Sequence, residues 1–143
     1  MAKRSWFERN KKKQAAVKKF AALRAEFGER LTTSQAIREH HGKDESAFPI
    51  APPDAVVFPH TTEECVTIVK LCAAHGTNII PYGVGTSLEG HVLAIHGGVC
   101  VDMSRMNKIL AVYAEDLNCI VQAGVTRKQL HQHLQHTGLF FPI

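Results

Sequence analysis

The sequence predicts an α+β domain, and three observations point to this fold class. Of the 143 residues, 45% are hydrophobic, which is enough for one domain with its own core. From residue 51 onward, short apolar runs of strand length alternate with amphipathic stretches that begin at a capping residue. Glycine or proline separates most of these runs. We therefore expect residues 51–143 to form a layer of strands covered by helices, preceded by a basic helical extension and linker over residues 1–50.

The first fifty residues contain two helical patterns followed by a polar stretch. An apolar stripe at helical spacing that ends at Gly28 predicts the first helix. A second, short helix is expected after Thr33. It should end at His40-His41, where an imidazolium suits the negative end of the helix dipole. Lys43–Pro53 is polar and contains proline, so we expect a linker that crosses the surface.

The segment from residue 55 to residue 80 predicts a βαβ unit. Ala55–Phe58 and Asn78–Ile80 are the expected strands. Thr61 and Glu64 have the spacing of a capping box at the start of the helix between them. The expected buried face of this helix consists of Cys65, Ile68, Val69 and Cys72. The two strands should lie parallel after a right-handed crossover.

The remaining elements are three strands, a helix and the beginning of another strand. The expected strands are Val99–Asp102, Ile109–Tyr113 and Cys119–Ala123, with a turn at 114–117 between the last two. Thr126 and Gln129 repeat the capping-box spacing and predict a helix that reaches Thr137, with Gly138 as its stop. Leu139-Phe140-Phe141 is expected to start a further strand. Because the sequence ends there, we expect a truncated domain.

The positive charge is concentrated at the N-terminus. Residues 1–30 carry ten Lys/Arg against three Glu, a net charge of +7, whereas residues 31–143 carry seven against ten acidic residues, a net charge of −3. The body of the chain therefore lacks the basic surface of a nucleic-acid-binding domain, and nucleic acid is not the favoured partner. The basic head of the chain (residues 1–13) contains Trp6 and Phe7. It leaves an alternative open, in which the protein is a non-enzymatic binding module and this head contacts nucleic acid or an anionic membrane surface.

The cysteines and histidines predict no metal site. The four cysteines show no CxxC spacing and no signal peptide precedes them, so we expect reduced thiols in an intracellular compartment. His131, His133 and His136 share one predicted helix, but His131 points away from the other two, so we expect a solvated polar face. No apolar run approaches the ~20 residues needed to span a bilayer. Peripheral membrane contact stays open.

The segment from Ile79 to His91 is the strongest functional signal. A predicted strand runs directly into a turn with glycines at 83, 85 and 90, and Thr86 and Ser87 add hydroxyl donors. Glycine permits positive φ and the close approach of a ligand, and successive N–H groups in such a turn can converge on one anion. A glycine-rich connection that merely turns the chain is the other interpretation at this point.

Two better-known phosphate-binding motifs do not fit this loop. A dinucleotide fingerprint would need glycine at the position of Leu88, and a Walker A loop would need Lys and Ser or Thr in place of His91 and Val92. No lysine or arginine occurs between Lys70 and Arg105. A diphosphate bound here would therefore be held by backbone amides, with about 1.5–3 kcal/mol for each hydrogen bond to a charged acceptor.

The run "PYGVGTSLEGH", the upstream "PPDAVVFPHTTEECVTIVKLCAAHGTNIIP" and the downstream "GGVCVDMSRMNKIL" and "AGVTRKQLHQHLQHTGLFFP" resemble the opening of the PCMH-type FAD-binding domain in the FAD-linked oxidase superfamily. The subgroup that these motifs resemble contains D-lactate dehydrogenase (cytochrome) and glycolate oxidase. The resemblance covers residues 51–143, and "AIREHHGKDES" is similar to the lead-in of the same subgroup. Several motifs in the same order make it more specific than one glycine pattern.

The resemblance implies a cofactor, a set of binding residues and a reaction. The residues that would contact the pyrophosphate of FAD, or close the loop around it, are Pro81, Gly83, Val84, Gly85, Thr86, Ser87, Gly90 and His91. The implied reaction oxidises a D-2-hydroxy acid, of the D-lactate or glycolate type, to the 2-oxo acid. Electrons then pass to a cytochrome or quinone, while the flavin carries the redox chemistry.

Relatives continue beyond the equivalent of Pro142 into a second FAD-contacting subdomain and a substrate cap. The resemblance therefore implies an incomplete FAD-binding half-domain that is inactive alone, with a downstream polypeptide as a partner that completes it. No catalytic residue can be named in this sequence. The expected location is cytoplasmic or at a membrane periphery, and mitochondrial in a eukaryote.

Overall fold

A computed structural model describes residues 20–142 of the chain. The basic head and the part of the first predicted helix before residue 20 lie outside the described residues. The helices are α1 (Ala21–Phe27), α2 (Gln35–His40), α3 (Thr62–Ala74) and α4 (Arg127–Leu134). The strands are β1 (Leu31–Thr32), β2 (Ala55–Val57), β3 (Ile79–Tyr82), β4 (Val99–Asp102), β5 (Ile109–Tyr113) and β6 (Asn118–Val121). This mixture of helices and strands confirms the predicted α+β class.

Strands β1 to β4 form one sheet in the order β1-β2-β4-β3. The predicted parallel orientation of β2 and β3 is confirmed, but the two are not neighbours, since β4 lies between them and pairs in parallel with both. All four residues of β4 are buried, and a strand buried on both faces belongs in the middle of a sheet. The two-residue β1, which pairs antiparallel with β2, was not expected because it is too short to show a pattern.

Successive side chains of β2 and β4 point to opposite faces of the sheet, so the core consists of two clusters, one on each face. Ala55 and Val57 face one cluster, which also contains Leu23 and Phe27 of α1 and Ile68 of α3. The intervening residues of the same strands face a second cluster, whose members include Val56, Cys100, Ile80, Tyr82, Val92 and Ala94. The division of the chain at residue 50 stays a prediction, although residues 20–31 contribute four side chains to the first cluster.

Helix α3 begins as the sequence predicts but buries a narrower face. The Thr61 hydroxyl oxygen accepts a hydrogen bond from the Glu64 amide at 3.2 Å. Ile68 and Cys72, four residues apart, are buried, whereas Val69 is 51% exposed, so its predicted burial is wrong. Val69 follows Ile68 by one residue and therefore lies about 100° around the helix from it, outside the stripe that Ile68 and Cys72 share.

The C-terminal third contains a hairpin and a capped helix. Strands β5 and β6 form a separate antiparallel pair, joined by the predicted turn, with Leu117 at a φ of 54°. Helix α4 is capped by the Thr126 hydroxyl, and its continuation as a 3₁₀ turn ends at Gly138 with a φ of 74°, as predicted. The predicted strand at 139–141 is wrong, because residues 139–142 show no regular structure and pair with no strand of the described chain.

Candidate functional site

The glycine-rich loop leaves the sheet at the carboxyl end of β3. Pro81 and Tyr82 are the last residues of that strand, and Asp102 ends the adjacent β4 at the same edge. In open sheets with parallel strands, ligands bind outside the carboxyl ends of the strands. The loop is also accessible, since Gly83, Val84 and Thr86 are exposed. The sequence-predicted site therefore lies at the edge where this architecture places ligands.

The amide nitrogens of residues 83–88 donate no hydrogen bond to any residue that the structure describes. The next two amides differ, because Glu89 N donates to the Ser87 hydroxyl oxygen at 3.2 Å and Gly90 N donates to the Asp44 carboxylate at 2.9 Å. An exposed turn with six unused N–H groups can offer several of them to one anion. This part of the predicted site has the donors that a diphosphate requires.

The fold itself requires two of the three glycines in the loop. Gly85 has a φ of 71°, and a Cβ added there would overlap the hydroxyl of Tyr82 beneath it. Gly90 also has a φ of 71°, and its Cβ would lie 2.8 Å from the ring of Phe48. Gly83 has neither constraint, because a Cβ at this position would meet no atom within 4 Å. The protein itself does not require glycine at 83, but a ligand lying against the main chain would.

The hydroxyl groups of the loop are not equivalent. No hydrogen bond of the Thr86 hydroxyl occurs within residues 20–142, and this side chain is exposed. The Ser87 oxygen lies 3.0 Å from Nδ1 of His91, across a turn of four residues. Ser87 is therefore partly engaged within the loop, while Thr86 is free to meet a ligand.

A segment that the sequence predicts to be a linker holds one side of this loop. The Asp44 carboxylate accepts from Gly90 N, and the Glu45 amide donates to the Ser87 carbonyl at 3.0 Å. Hydrogen bonds from Ser46, first among several, lower the pKa of Asp44, so this carboxyl stays an acceptor. The sequence gives no sign of this role, because Asp44 lies in a polar stretch without periodicity.

A buried ion pair lies beneath the loop. Nε2 of His41 is 2.7 Å from the Asp102 carboxylate, and the two side chains are only 6% and 8% exposed. Nδ1 of His41 donates to the Ile37 carbonyl at 2.8 Å. The imidazole also packs on the ring of Tyr82, with centroids 4.5 Å apart. His41 thus joins the end of α2 to the carboxyl ends of β3 and β4.

Both ring nitrogens of His41 face acceptors, an arrangement that favours the imidazolium. Burial by itself lowers its pKa, but the hydrogen bonds to Asp102 and to the Ile37 carbonyl outweigh burial and raise the pKa above its ordinary value. Burial likewise raises the pKa of Asp102, yet hydrogen bonds from His41 and Ser104 outweigh it and lower that pKa. The prediction that His40-His41 ends a helix is confirmed, but the partner of His41 is a carboxylate that no sequence pattern indicated.

The other titratable groups of residues 20–142 build no metal-binding cluster. Among residues 20–142 no group of three or more His, Cys, Asp or Glu side chains could hold a metal ion. All four cysteines are free thiols. Burial raises the pKa of Cys100 to about 12, so that thiol is unreactive at neutral pH. In the same part of the chain, no helix is long and apolar enough to cross a bilayer.

Comparison with known proteins identifies relatives over most of the chain. The chain is 43% identical over 133 residues to "Probable D-lactate dehydrogenase, mitochondrial" of Danio rerio, covering 92% of this chain and 27% of that protein. It is 41% identical over 133 residues to "D-lactate dehydrogenase [cytochrome], mitochondrial" of Arabidopsis thaliana, covering 92% and 24%. It is 37% identical over 90 residues to "Glycolate oxidase subunit GlcD" of Bacillus subtilis, covering 63% and 19%. The chain thus spans about a quarter or less of these relatives.

Solved structures of other proteins also superimpose on most of the chain. An alkyldihydroxyacetonephosphate synthase superimposes with a TM-score of 0.76 at 27% identity, covering 85% of this chain and 27% of that one. A substrate-bound p-cresol methylhydroxylase superimposes with a TM-score of 0.67 at 26% identity, covering 94% and 26%. The family described as "FAD binding domain" matches residues 53–143, which include the whole glycine-rich loop. The chain therefore belongs to the PCMH-type FAD-binding domain family of the FAD-linked oxidases, and its cofactor is FAD.

Proposed function

We propose that residues 81–91 bind the pyrophosphate of FAD, and that the chain serves an FAD-dependent oxidoreductase acting on a D-2-hydroxy acid. One observation carries the first part of this proposal: six consecutive amides, at residues 83–88, have no acceptor in the described chain. Such a turn attracts an anion without any lysine or arginine. The proposed binding residues are those predicted from the sequence, namely Pro81, Gly83, Val84, Gly85, Thr86, Ser87, Gly90 and His91.

The residues of the loop would divide the work of holding the diphosphate. The amides from Gly83 to Ser87 would donate to its oxygens, and the Thr86 hydroxyl would add a further donor. The open space beside Gly83 would let the diphosphate lie against the main chain. Gly90 would act indirectly, because the hydrogen bond from its main-chain N–H to the Asp44 carboxylate closes the end of the loop. When bound, the flavin supplies the redox chemistry, and these residues orient it.

The reaction proposed for the complete protein is oxidation of a D-lactate- or glycolate-type acid to the 2-oxo acid, with a cytochrome or quinone as the acceptor. The names of the similar dehydrogenases and of the glycolate oxidase relative support this substrate class. Because the chain spans about a quarter of the two dehydrogenases, we propose that turnover needs the polypeptide corresponding to their unmatched part. In a eukaryote the proposed location is the mitochondrion, because the names of both dehydrogenases include the word "mitochondrial". The alternative role of the basic head depends on residues outside the described chain, and no contact of the described residues favours it.

Amide NMR of the purified chain tests the proposed binding residues. We expect addition of FAD to shift the amide resonances of residues 83–88 more than those of the β5–β6 hairpin. Gly83→Ala should weaken FAD binding about tenfold or more, which corresponds to the loss of roughly one charged hydrogen bond. The same variant should not lower the free energy of unfolding, because its Cβ meets no atom within 4 Å beyond the adjacent residues and Gly83 has no positive φ.

Gly28→Ala is the matched control, because it also adds one methyl group in open space but at a φ of 52°. It should destabilise the fold through backbone strain and leave FAD affinity unchanged. If FAD shifts no amide among residues 83–88, the assignment of the loop is wrong. If Gly83→Ala and Gly28→Ala weaken FAD binding equally, the open space at Gly83 has no role in binding.

A further inference from the structure

The side chain of Ser87 has one proton and two neighbours that compete for its oxygen. The Glu89 amide donates to this oxygen at 3.2 Å, so one lone pair is occupied. Nδ1 of His91 lies 3.0 Å away on another side. If Nδ1 carries no proton, the Ser87 hydroxyl must donate to it, because the pair would otherwise lack a hydrogen. In that state the hydroxyl proton is not available to a phosphate.

The roles reverse when Nδ1 carries a proton. His91 then donates to the Ser87 oxygen, and the hydroxyl proton of Ser87 can turn toward a ligand. A diphosphate that accepts from Ser87 therefore favours the form of His91 with a proton on Nδ1. An imidazolium satisfies this requirement and adds a positive charge to a stretch that has no lysine or arginine between Lys70 and Arg105.

We propose that His91 is a positioning residue that takes up one proton from solvent when the diphosphate of FAD binds, and that it thereby releases the Ser87 hydroxyl to donate to phosphate. This inference rests on the proposed pyrophosphate loop. The proton enters at Nδ1 of a ring that already carries a proton on Nε2, and no other bond changes. FAD affinity then depends on pH through a single histidine.

The segments around His91 carry three carboxylates. Glu89 lies two residues before it on the loop, and the segment packed against the loop contributes Asp44 and Glu45, with Lys43 as the only cation among residues 43–53. Three carboxylates beside an anion-binding loop would repel a diphosphate. A positive charge on His91 offsets part of that repulsion, which gives proton uptake a second physical reason.

The test compares the pH dependence of FAD binding by the chain and by its His91→Gln variant. FAD is the probe because its diphosphate diester stays fully ionised over the range in which histidine titrates, about pH 6 to pH 8. We expect the affinity of the chain to fall about tenfold across this range, which corresponds to an average uptake of about half a proton, since a full proton would change affinity tenfold for each pH unit. Calorimetry in two buffers of different ionisation enthalpy should show that uptake directly. In His91→Gln the dependence should be lost, because a glutamine amide can donate to Ser87 without titrating.

His96→Gln is the matched control, since His96 is exposed and accepts a hydrogen bond from the Asn78 side chain through its main-chain carbonyl. It should keep the pH dependence of the original chain. Nitrogen-15 spectra of the imidazole rings separate this inference from the proposed function. If FAD shifts the amides of residues 83–88 but the ring nitrogens of His91 stay unchanged, or if His91→Gln keeps the pH dependence, the inference is wrong and the loop assignment stands. If FAD shifts neither amides nor ring nitrogens, both are wrong.

Discussion

The buried pair of His41 and Asp102 can be tested with the isosteric substitution Asp102→Asn. The two side chains are 6% and 8% exposed and 2.7 Å apart, so removing the carboxylate charge leaves His41 buried without a counter-ion. Breaking a buried pair by removing one partner costs about 3–5 kcal/mol. Here we expect a value near or below the lower limit of about 3 kcal/mol, because His41 can lose its proton and accept a hydrogen bond from the asparagine amide.

The stabilities of the original chain and of the Asp102→Asn variant should change in opposite directions with pH. In the original chain the raised pKa of His41 gives stability that is fully present below its ordinary pKa of 6.5 and is lost as the pH rises through the raised value. The lowered pKa of Asp102 gives stability that is present above 3.8 and is lost as the pH falls through the lowered value. Their combined contribution is therefore largest between these two limits. In Asp102→Asn the pKa of His41 should fall below 6.5, so the variant loses stability as the pH decreases through that value.

Chemical unfolding at pH 6 and pH 8, followed by circular dichroism, measures the difference. The cost of Asp102→Asn should be about 1–2 kcal/mol larger at pH 6 than at pH 8, given about 1.4 kcal/mol for each unit by which the His41 pKa differs. Asp54→Asn is the control, because Asp54 also accepts a backbone amide, that of Gly98, with no histidine partner. Equal costs of Asp102→Asn at the two pH values would refute the ion pair.

Three further predictions concern other parts of the molecule. Gly85→Ala should destabilise the fold by about 1–3 kcal/mol in urea unfolding, because it strains a position with φ of 71° and overlaps a tyrosine hydroxyl; unchanged unfolding would contradict this. Arg30 and Glu64 form a two-contact ion pair with N–O distances of 2.6 and 2.8 Å, and this pair should show a coupling of about 0.5–1 kcal/mol in a double-mutant cycle. That coupling should weaken only as the pH falls from the ordinary 4.5 toward about 2, since the hydrogen bond from Arg30 lowers the pKa of Glu64 to about 2. Buried Cys100 should react with a thiol reagent only on unfolding, whereas half-buried Cys119 should react in the folded chain.

The elements with strong local signals could be predicted from the sequence. Thr61 and Thr126 cap their helices as their spacing with a polar residue three positions later indicates. The turn at 114–117 and the glycine stop at 138 also follow local rules of conformation. Such features depend on neighbouring residues, so a single sequence contains the information that they need.

Features that depend on distant residues could not be predicted in the same way. Strand β4 lies between β2 and β3 because it is buried on both faces. No local sequence pattern indicates which of the strands takes this central position. Asp44 and Asp102 contact partners 46 and 61 residues away in the sequence. The extended run at 139–141 has strand-forming residues but no paired edge within the described chain. Pattern alone therefore located the loop but did not identify what supports it.

The order of the strands has a consequence for how the chain folds. Strands β2 and β3 are complete by residue 82, but they do not pair with each other. Both pair with β4, which is complete only at residue 102. During synthesis the glycine-rich turn therefore emerges from the ribosome before the strand that fixes the edge beneath it. A nascent chain that stops short of Val99 should have no cofactor-binding geometry, even though every residue of the loop is already present.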